Sequence, residues 1–323
     1  MAVDEIPVID VAALQTGGPE KVASIAAVLR QAAQGPGFFY IKNHGVPRPL
    51  IDAALGASHR FFALPIEQKR RVAINTLHRG FLALGGAKMY DKARVDLKES
   101  YLWGLELGKD DLDVRAGKPL MGPNNWPDFL PGFRDALYDY YQGVMDCGRR
   151  LLSALAVSLD APVDFFEPHF AKPLARGSLI YYPPQPADMG EDQFGVAPHS
   201  DYGGITLLYQ DDKGGLQVRG RSGEWVMAHP IADTFVINIG DLMARWTNDR
   251  FASTPHRVVN SSGQDRYSIA LFFDPAFDTV IDPADLLADK TAPHYPPITC
   301  GEYVVSRFDK AFSYRKDPSQ PAR

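Results

Sequence analysis

From residue 178 to residue 273 the chain is written in short apolar segments: "SLIYYPP", "GITLLYQ", "GLQVRG", "EWVMAHP", "TFVINIG", "HRVVN" and "RYSIALFF". Clusters of Gly, Pro, Asp and Asn separate them. Runs this short, rich in β-branched and aromatic residues, leave no room for ordinary helices between turns, so this part must fold as an all-β barrel or jelly roll. The rest of the chain reads differently. In "KVASIAAVLRQAA" the apolar residues Val22, Ile25, Ala26 and Leu29 recur at helical spacing, and residues 49–62 repeat the pattern. Residues 133–159 give one long amphipathic helix through Phe133, Leu137, Tyr141, Val144, Leu151 and Leu155, long enough to brace a sheet from outside. The expected fold is α+β with a mainly β core, a jelly roll flanked by helices.

Four stretches follow from these changes of pattern: an N-terminal region of helices and short strands (1–110), the bracing helix and its connections (111–172), the jelly-roll core (173–285) and a helical tail (286–323). In the first, "IPVID" reads as a short strand ending at Asp10, a plausible cap, and "FFYI" as a buried strand before the turn "NHG". His44 in that turn has no partner nearby and reads as structural. Residues 70–130 are irregular and rich in Gly, Asp, Lys and Pro; segments 79–88 and 99–103 are candidates to close over a pocket. In the tail, Thr299 and Glu302 stand in capping-box spacing.

Charge and cysteine content narrow the function. The formal net charge is −5 with no basic block, which gives nucleic acid or an anionic membrane nothing to hold, so small molecules are the expected partners. No basic segment followed by a long apolar stretch opens the chain, and no run of about 18 apolar residues occurs, so neither secretion nor membrane spanning is expected. Cys147 and Cys300 are far apart and in no C-x-x-C pair, against a disulfide framework or thiolate zinc site and in favour of a reducing cytoplasm.

The chemistry starts at "APHSDYGGITLLYQDD". On a strand, His199 and Asp201 would share a face and set an imidazole beside a carboxylate, which is half of a metal site. A third ligand should come from another strand, and His256 in "STPHRVVN" fits best. Two imidazoles and one carboxylate leave about three places of an octahedral metal open, as Fe(II) with O2 requires. Zinc hydrolases want four-coordinate geometry and a nearby general base, and no H-E-x-x-H pattern is present. In "RYSIALFF", alternation puts Arg266, Ser268, Ala270 and Phe272 on one face. An inward arginine needs an anion, supplied either by an internal Asp or Glu or by a dicarboxylate ligand. Phe272, with Ile205 and Leu207 on the face of His199, would line a partly apolar substrate pocket.

Together His199-x-Asp201, His256 and Arg266-x-Ser268 resemble the non-haem Fe(II)/2-oxoglutarate-dependent dioxygenases, in the branch that also contains isopenicillin N synthase and the plant flavonoid and gibberellin oxygenases. "GFFYIKNHGV", "IYYPPQP", "NIGDLMARWTND" and "ITCGEYVVSRFD" resemble further landmarks, so the likeness spans nearly the whole chain. Ile180 stands where many plant members carry Asn. The resemblance implies a double-stranded β-helix in which His199, Asp201 and His256 hold Fe(II), while Arg266, Ser268 and Tyr182 hold 2-oxoglutarate. It implies O2-dependent oxidation of a small organic molecule with release of succinate and CO2, hydroxylation being the usual outcome and desaturation or ring closure the others. Two alternatives stay open: an isopenicillin N synthase-type oxidase, in which the Arg-x-Ser pair binds the substrate's own carboxylate, and a non-catalytic β-barrel binding protein.

Overall fold

The computed structural model describes residues 6–16, 18–86, 96–185, 193–287 and 292–316. Strand β1 (Val8–Asp10) ends where Asp10 Oδ1 accepts from the amide of Ala12 and turns the chain into α1 (Ala13–Thr16). Helix α2 (Pro19–Gln34) starts on its proline and buries Ile25, Leu29, Ala32 and Ala33. It stops at Gly35, and the reversal into β2 (Phe38–Lys42) passes through Gly37 at φ +67°, where a Cβ would lie 2.0 Å from the carbonyl oxygen of Ala252. Helices α3 (Arg48–Phe62) and α4 (Ile66–Arg70) follow, then β3 (Gly80–Leu82) and β4 (Glu99–Gly104). His44 is buried, and its Nδ1 accepts from the amide of Val46, a structural role.

After the short α5 (Leu112–Arg115), α6 (Phe133–Ser158) runs along the molecule against α2 and α3. It also approaches the sheet so closely that a Cβ on Gly148 would meet the Phe273 ring at 2.7 Å. The strand-rich part then unfolds in order: β5 (Arg176–Tyr182), β6 (Val196–His199), β7 (Ile205–Gln210), β8 (Leu216–Arg219), β9 (Trp225–Met227) and β10 (Thr234–Ile239). Helix α7 (Asp241–Trp246) precedes β11 (His256–Val258) and β12 (Arg266–Phe273). A small pair, β13 (Val280–Ile281) with β14 (Ile298–Thr299), leads to α8 (Cys300–Ala311) and α9 (Ser313–Lys316). Thr299 and Glu302 form the capping box their spacing predicts.

Eight strands make the large sheet, in the order β1-β2-β10-β7-β12-β5-β4-β3, and four make the facing one, β6-β11-β8-β9. This is the jelly-roll α+β fold. Strands of the N-terminal region join the same sheet as those of the core. Alternation then decides what each face does. Phe39, Ile41, Leu207, Phe235, Ile237 and Leu271 point outward into the helix-covered core, while Phe38, Tyr40, Leu208, Val236 and Ala270 point inward with Val196, Val218 and Val258 of the small sheet. The polar site lies on this inner side.

Segments expected to be loops turn out otherwise. Residues 80–82 and 99–104 are strands, and β4 pairs with β5 from Glu99 opposite Tyr181 to Gly104 opposite Arg176. Long-range pairing overrides their weak local preference. Residues 87 and 88 of the expected covering segment lie outside the described residues.

Candidate active site

His199 and His256 face each other directly across the β6–β11 ladder. Their ring centroids are 4.3 Å apart, and the Phe38 ring meets His256 edge-on at 5.1 Å. Each imidazole turns its Nδ1 to the carbonyl two residues back: Ala197 at 2.8 Å for His199 and Thr254 at 3.3 Å for His256. Donation to those carbonyls leaves each Nε2 with its lone pair free. Asp201 completes the cluster. Its Oδ1 lies 3.7 Å from both Nε2 atoms, and the three ligand atoms fall within 4.8 Å of one another.

Asp201 arrives by a route different from the one expected. Strand β6 ends at His199, so strand alternation does not place the carboxylate. The following turn does: Asp201 O accepts from the Asp241 amide, and Oδ2 accepts from Thr206 Oγ1 at 2.5 Å and Asn238 Nδ2 at 2.7 Å. Burial opposes ionisation of Asp201, yet the two imidazoles and these hydrogen bonds outweigh it and hold the carboxyl below its usual range. Burial, and then the charge of neighbouring His256, push His199 down, so it is a neutral ligand. These residues suit a divalent metal. Two imidazoles and one carboxylate are a hard-to-intermediate donor set with open places opposite them.

Arg266 sits at the inner end of β12 with 1% of its surface exposed. Its Nε donates to the carbonyl of Gly214, its Nη2 donates to Gln210 Oε1 at 3.2 Å, and the Tyr182 ring, paired across the β5–β12 ladder, lies 4.7 Å below the guanidinium. Among the described residues it has no carboxylate partner. Its Nη1 and the Ser268 hydroxyl, two residues on, are both buried without a hydrogen-bond partner. Buried donors are rarely left so. Two adjacent unspent donors, one of them on a trapped cation, fit the distal carboxylate of a dicarboxylate such as 2-oxoglutarate.

Beside His199 and Asp201 opens a cavity of about 100 Å³, walled by Arg176, Phe272, Phe308 and Phe312 among others. A larger hollow of about 370 Å³, lined by Arg149, Arg150 and Phe166, lies away from these ligands. Phe272 is therefore where it was expected. Ile205 and Leu207 are not: both are buried in the helix-covered core on the outer face. The alternation that linked them to His199 was counted through a turn, whereas β6 and β7 belong to different sheets. The inward residues of β7 are Thr206, Leu208 and Gln210, which hold Asp201, pack the interior and hold Arg266. Asn238, Gln210, Lys98 and Arg176 carry no functional signal of their own in the sequence, although Asn238 lies in "NIGDLMARWTND" and Gln210 in "GITLLYQ".

A metal face with open places beside an anchor for an acidic cosubstrate is the type of site that activates O2. The chain belongs to the 2OG-Fe(II) oxygenase superfamily, whose profile matches residues 178–275, and that of the non-haem dioxygenase in morphine synthesis N-terminal domain matches residues 6–129. It is similar to the 2-oxoglutarate-Fe(II) type oxidoreductase hxnY of Emericella nidulans, with 36% identity over 95% of this chain and 91% of that one. Homoarginine-6-hydroxylase 2-ODD-233 of Oryza sativa subsp. japonica is 34% identical, over 94% of this chain and 96% of that one. Among solved structures, a full-length Neurospora crassa protein in complex with alpha-KG superimposes with a TM-score of 0.84 and 32% identity, over 94% of this chain and 95% of that one. A further structure of that Neurospora crassa protein holds alpha-KG and thymine, a small-molecule ligand. The protein is an Fe(II)- and 2-oxoglutarate-dependent oxygenase, and the relatives favour this over the isopenicillin N synthase type.

Proposed function

We propose that His199 Nε2, Asp201 Oδ1 and His256 Nε2 hold Fe(II), and that Arg266 Nη1 and Ser268 Oγ hold the distal carboxylate of 2-oxoglutarate. Tyr182, whose ring lies 4.7 Å from the guanidinium, completes the cosubstrate site beside them. When bound, Fe(II), 2-oxoglutarate and O2 supply the oxidising chemistry, in which the cosubstrate becomes succinate and CO2 and the main substrate is hydroxylated. The chain's own residues do the rest. Thr206 and Asn238 fix the Asp201 carboxylate, the Ala197 and Thr254 carbonyls fix the imidazoles, and Gln210 and Gly214 fix Arg266. Phe272, Phe308 and Phe312 give the neighbouring cavity an apolar side.

The observation that carries the cosubstrate assignment is the pair of buried, unspent donors on Arg266 and Ser268. The test is to titrate 2-oxoglutarate into the anaerobic Fe(II) protein and follow the weak metal-to-ligand absorption, then count succinate per substrate oxidised. Saturable absorption and a one-to-one count are expected. O2 consumption with no chelation would instead assign Arg266 to a carboxylate of the substrate. No helix among the described residues is long and apolar enough to cross a membrane, and both cysteines are free and buried, which supports a reducing cytoplasm as its place of work.

A further inference from the structure

We propose that the molecule this oxygenase oxidises is a small carboxylic acid with an apolar body, whose carboxylate is held by Lys98 on the wall of the cavity beside His199; the inference rests on the oxygenase reading above. Lys98 lines the cavity with 14% of its side chain exposed, and among the described residues it makes no hydrogen bond. Its one ionic neighbour among those residues, Asp96, stands 3.8 Å from Nζ, beyond hydrogen-bond reach. The Asp96 oxygen nearest to it, Oδ2, is buried without a hydrogen-bond partner of its own, while Oδ1 accepts from the Ala197 amide at 3.0 Å. An ammonium group carries three donors and no acceptor, so one that faces the cavity and spends none of them on the described residues has all three to offer a bound carboxylate.

The surroundings favour an anion over a neutral carbonyl. Arg176, the other cation on the wall, is already matched: it donates to Asp274 at 2.5 Å, and the rings of Phe272 and Phe308 face its guanidinium. Arg79, buried behind His78, donates only to the carbonyls of Leu77, His78 and Leu120 and has no carboxylate partner among the described residues. On the wall itself two cations, Lys98 and Arg176, stand against one carboxylate, Asp201, with Asp274 paired to Arg176 and Asp96 near Lys98 behind it. The depressed basicity of His78 agrees: burial is the largest cause, followed by the charges of Arg176, Arg79, Arg315 and Lys98. Ser100 of β4, two residues after Lys98, and Ser178, opposite Leu102 in the β4–β5 register, add hydroxyls to the same wall. Phe308 and Phe312 of the C-terminal segment offer flat apolar surface to the remainder of the molecule.

The experiment uses the full chain loaded anaerobically with Fe(II) and 2-oxoglutarate. Benzoate, phenylacetate and cyclohexanecarboxylate are each compared with the matching primary amide. Binding is read from the change each causes in the metal-to-ligand absorption, and productive binding from succinate released in air. At least one acid is expected to act at a concentration about tenfold or more below that of its amide. Lys98→Met should remove that preference while the 2-oxoglutarate titration stays where it was, and Lys98→Gln, which keeps a donor without the charge, should do the same. Amides that match or surpass the acids, no response to any acid, or a preference that survives both variants would overturn the inference. Absent 2-oxoglutarate absorption in the wild type overturns the oxygenase reading along with it, whereas normal chelation without an acid preference overturns this inference alone.

Discussion

Ser268→Ala should move two quantities in opposite directions. In the protein without metal or cosubstrate, the Ser268 hydroxyl is buried and has no partner, a state that costs about 1–3 kcal/mol. Removing it leaves no protein group unpaired, because nothing in the protein depends on it. Taking about 1–2 kcal/mol as the gain, and about 2.1 cal/mol/K of unfolding entropy per residue over 323 residues, the apo protein should melt about 1.5–3 °C higher. The same deletion removes a hydrogen bond to a carboxylate in the loaded enzyme, about 1.5–3 kcal/mol, which corresponds to a 2-oxoglutarate dissociation constant about 10- to 150-fold higher. The assays are calorimetric melting of the metal-free protein and anaerobic titration of the Fe(II) protein. A lower apo melting temperature with unchanged 2-oxoglutarate affinity would show the hydroxyl to be a structural donor, and the orphan-donor argument would fall with it.

His256→Ala should abolish turnover and Fe(II) binding while leaving the far-ultraviolet circular dichroism unchanged; retained iron with retained activity would disprove the ligand assignment. Leu151→Asp puts a charge into the contact between α6 and the helix-covered core, where Leu151 is buried, and should cost about 4 kcal/mol or more, read as a lower urea midpoint. His78, buried among arginines, has its basicity pushed well down, chiefly by burial. The unfolded chain therefore takes up a proton as pH falls below about 6.5 while the folded chain does not, so stability drops on acidification, by at most about 1.4 kcal/mol per pH unit from this group. His78→Asn, which tolerates the φ of +61° there, should flatten the dependence of the urea midpoint between about pH 6.5 and pH 5 relative to wild type. An equally steep slope in the variant would assign the acid sensitivity to other groups.

Much of the architecture is legible from residues alone because the strands carry clear punctuation and the inner and outer faces of each alternate. Arg266, Ser268 and Phe272 follow from counting along one uninterrupted strand. The same count fails for Ile205 and Leu207, because the turn through Gly203 and Gly204 leads from one sheet to the other and resets the phase. Thr206, Asn238 and Gln210 are hidden for a different reason. Each is an ordinary polar residue in an apolar strand, and its role exists only through partners that other strands bring to it. Lys98 is hidden by a region that reads as loop, and Arg176 stands just before the first apolar strand segment; β4 begins directly after Lys98 and β5 at Arg176, and their pairing brings both to the cavity wall.

The unequal treatment of the two Asp201 oxygens has a consequence for how the metal is populated. Oδ2 is occupied by Thr206 and Asn238, so only Oδ1 is at liberty to bind. Were both oxygens to coordinate, the carboxylate would claim a fourth place on a six-coordinate ion, and a chelating cosubstrate would leave no place where O2 could enter. By tying down one oxygen, two side chains that need never touch the metal set its denticity. Asn238 thus acts on the metal site through Asp201, and with Leu in its place Thr206 would be left to hold Oδ2 alone.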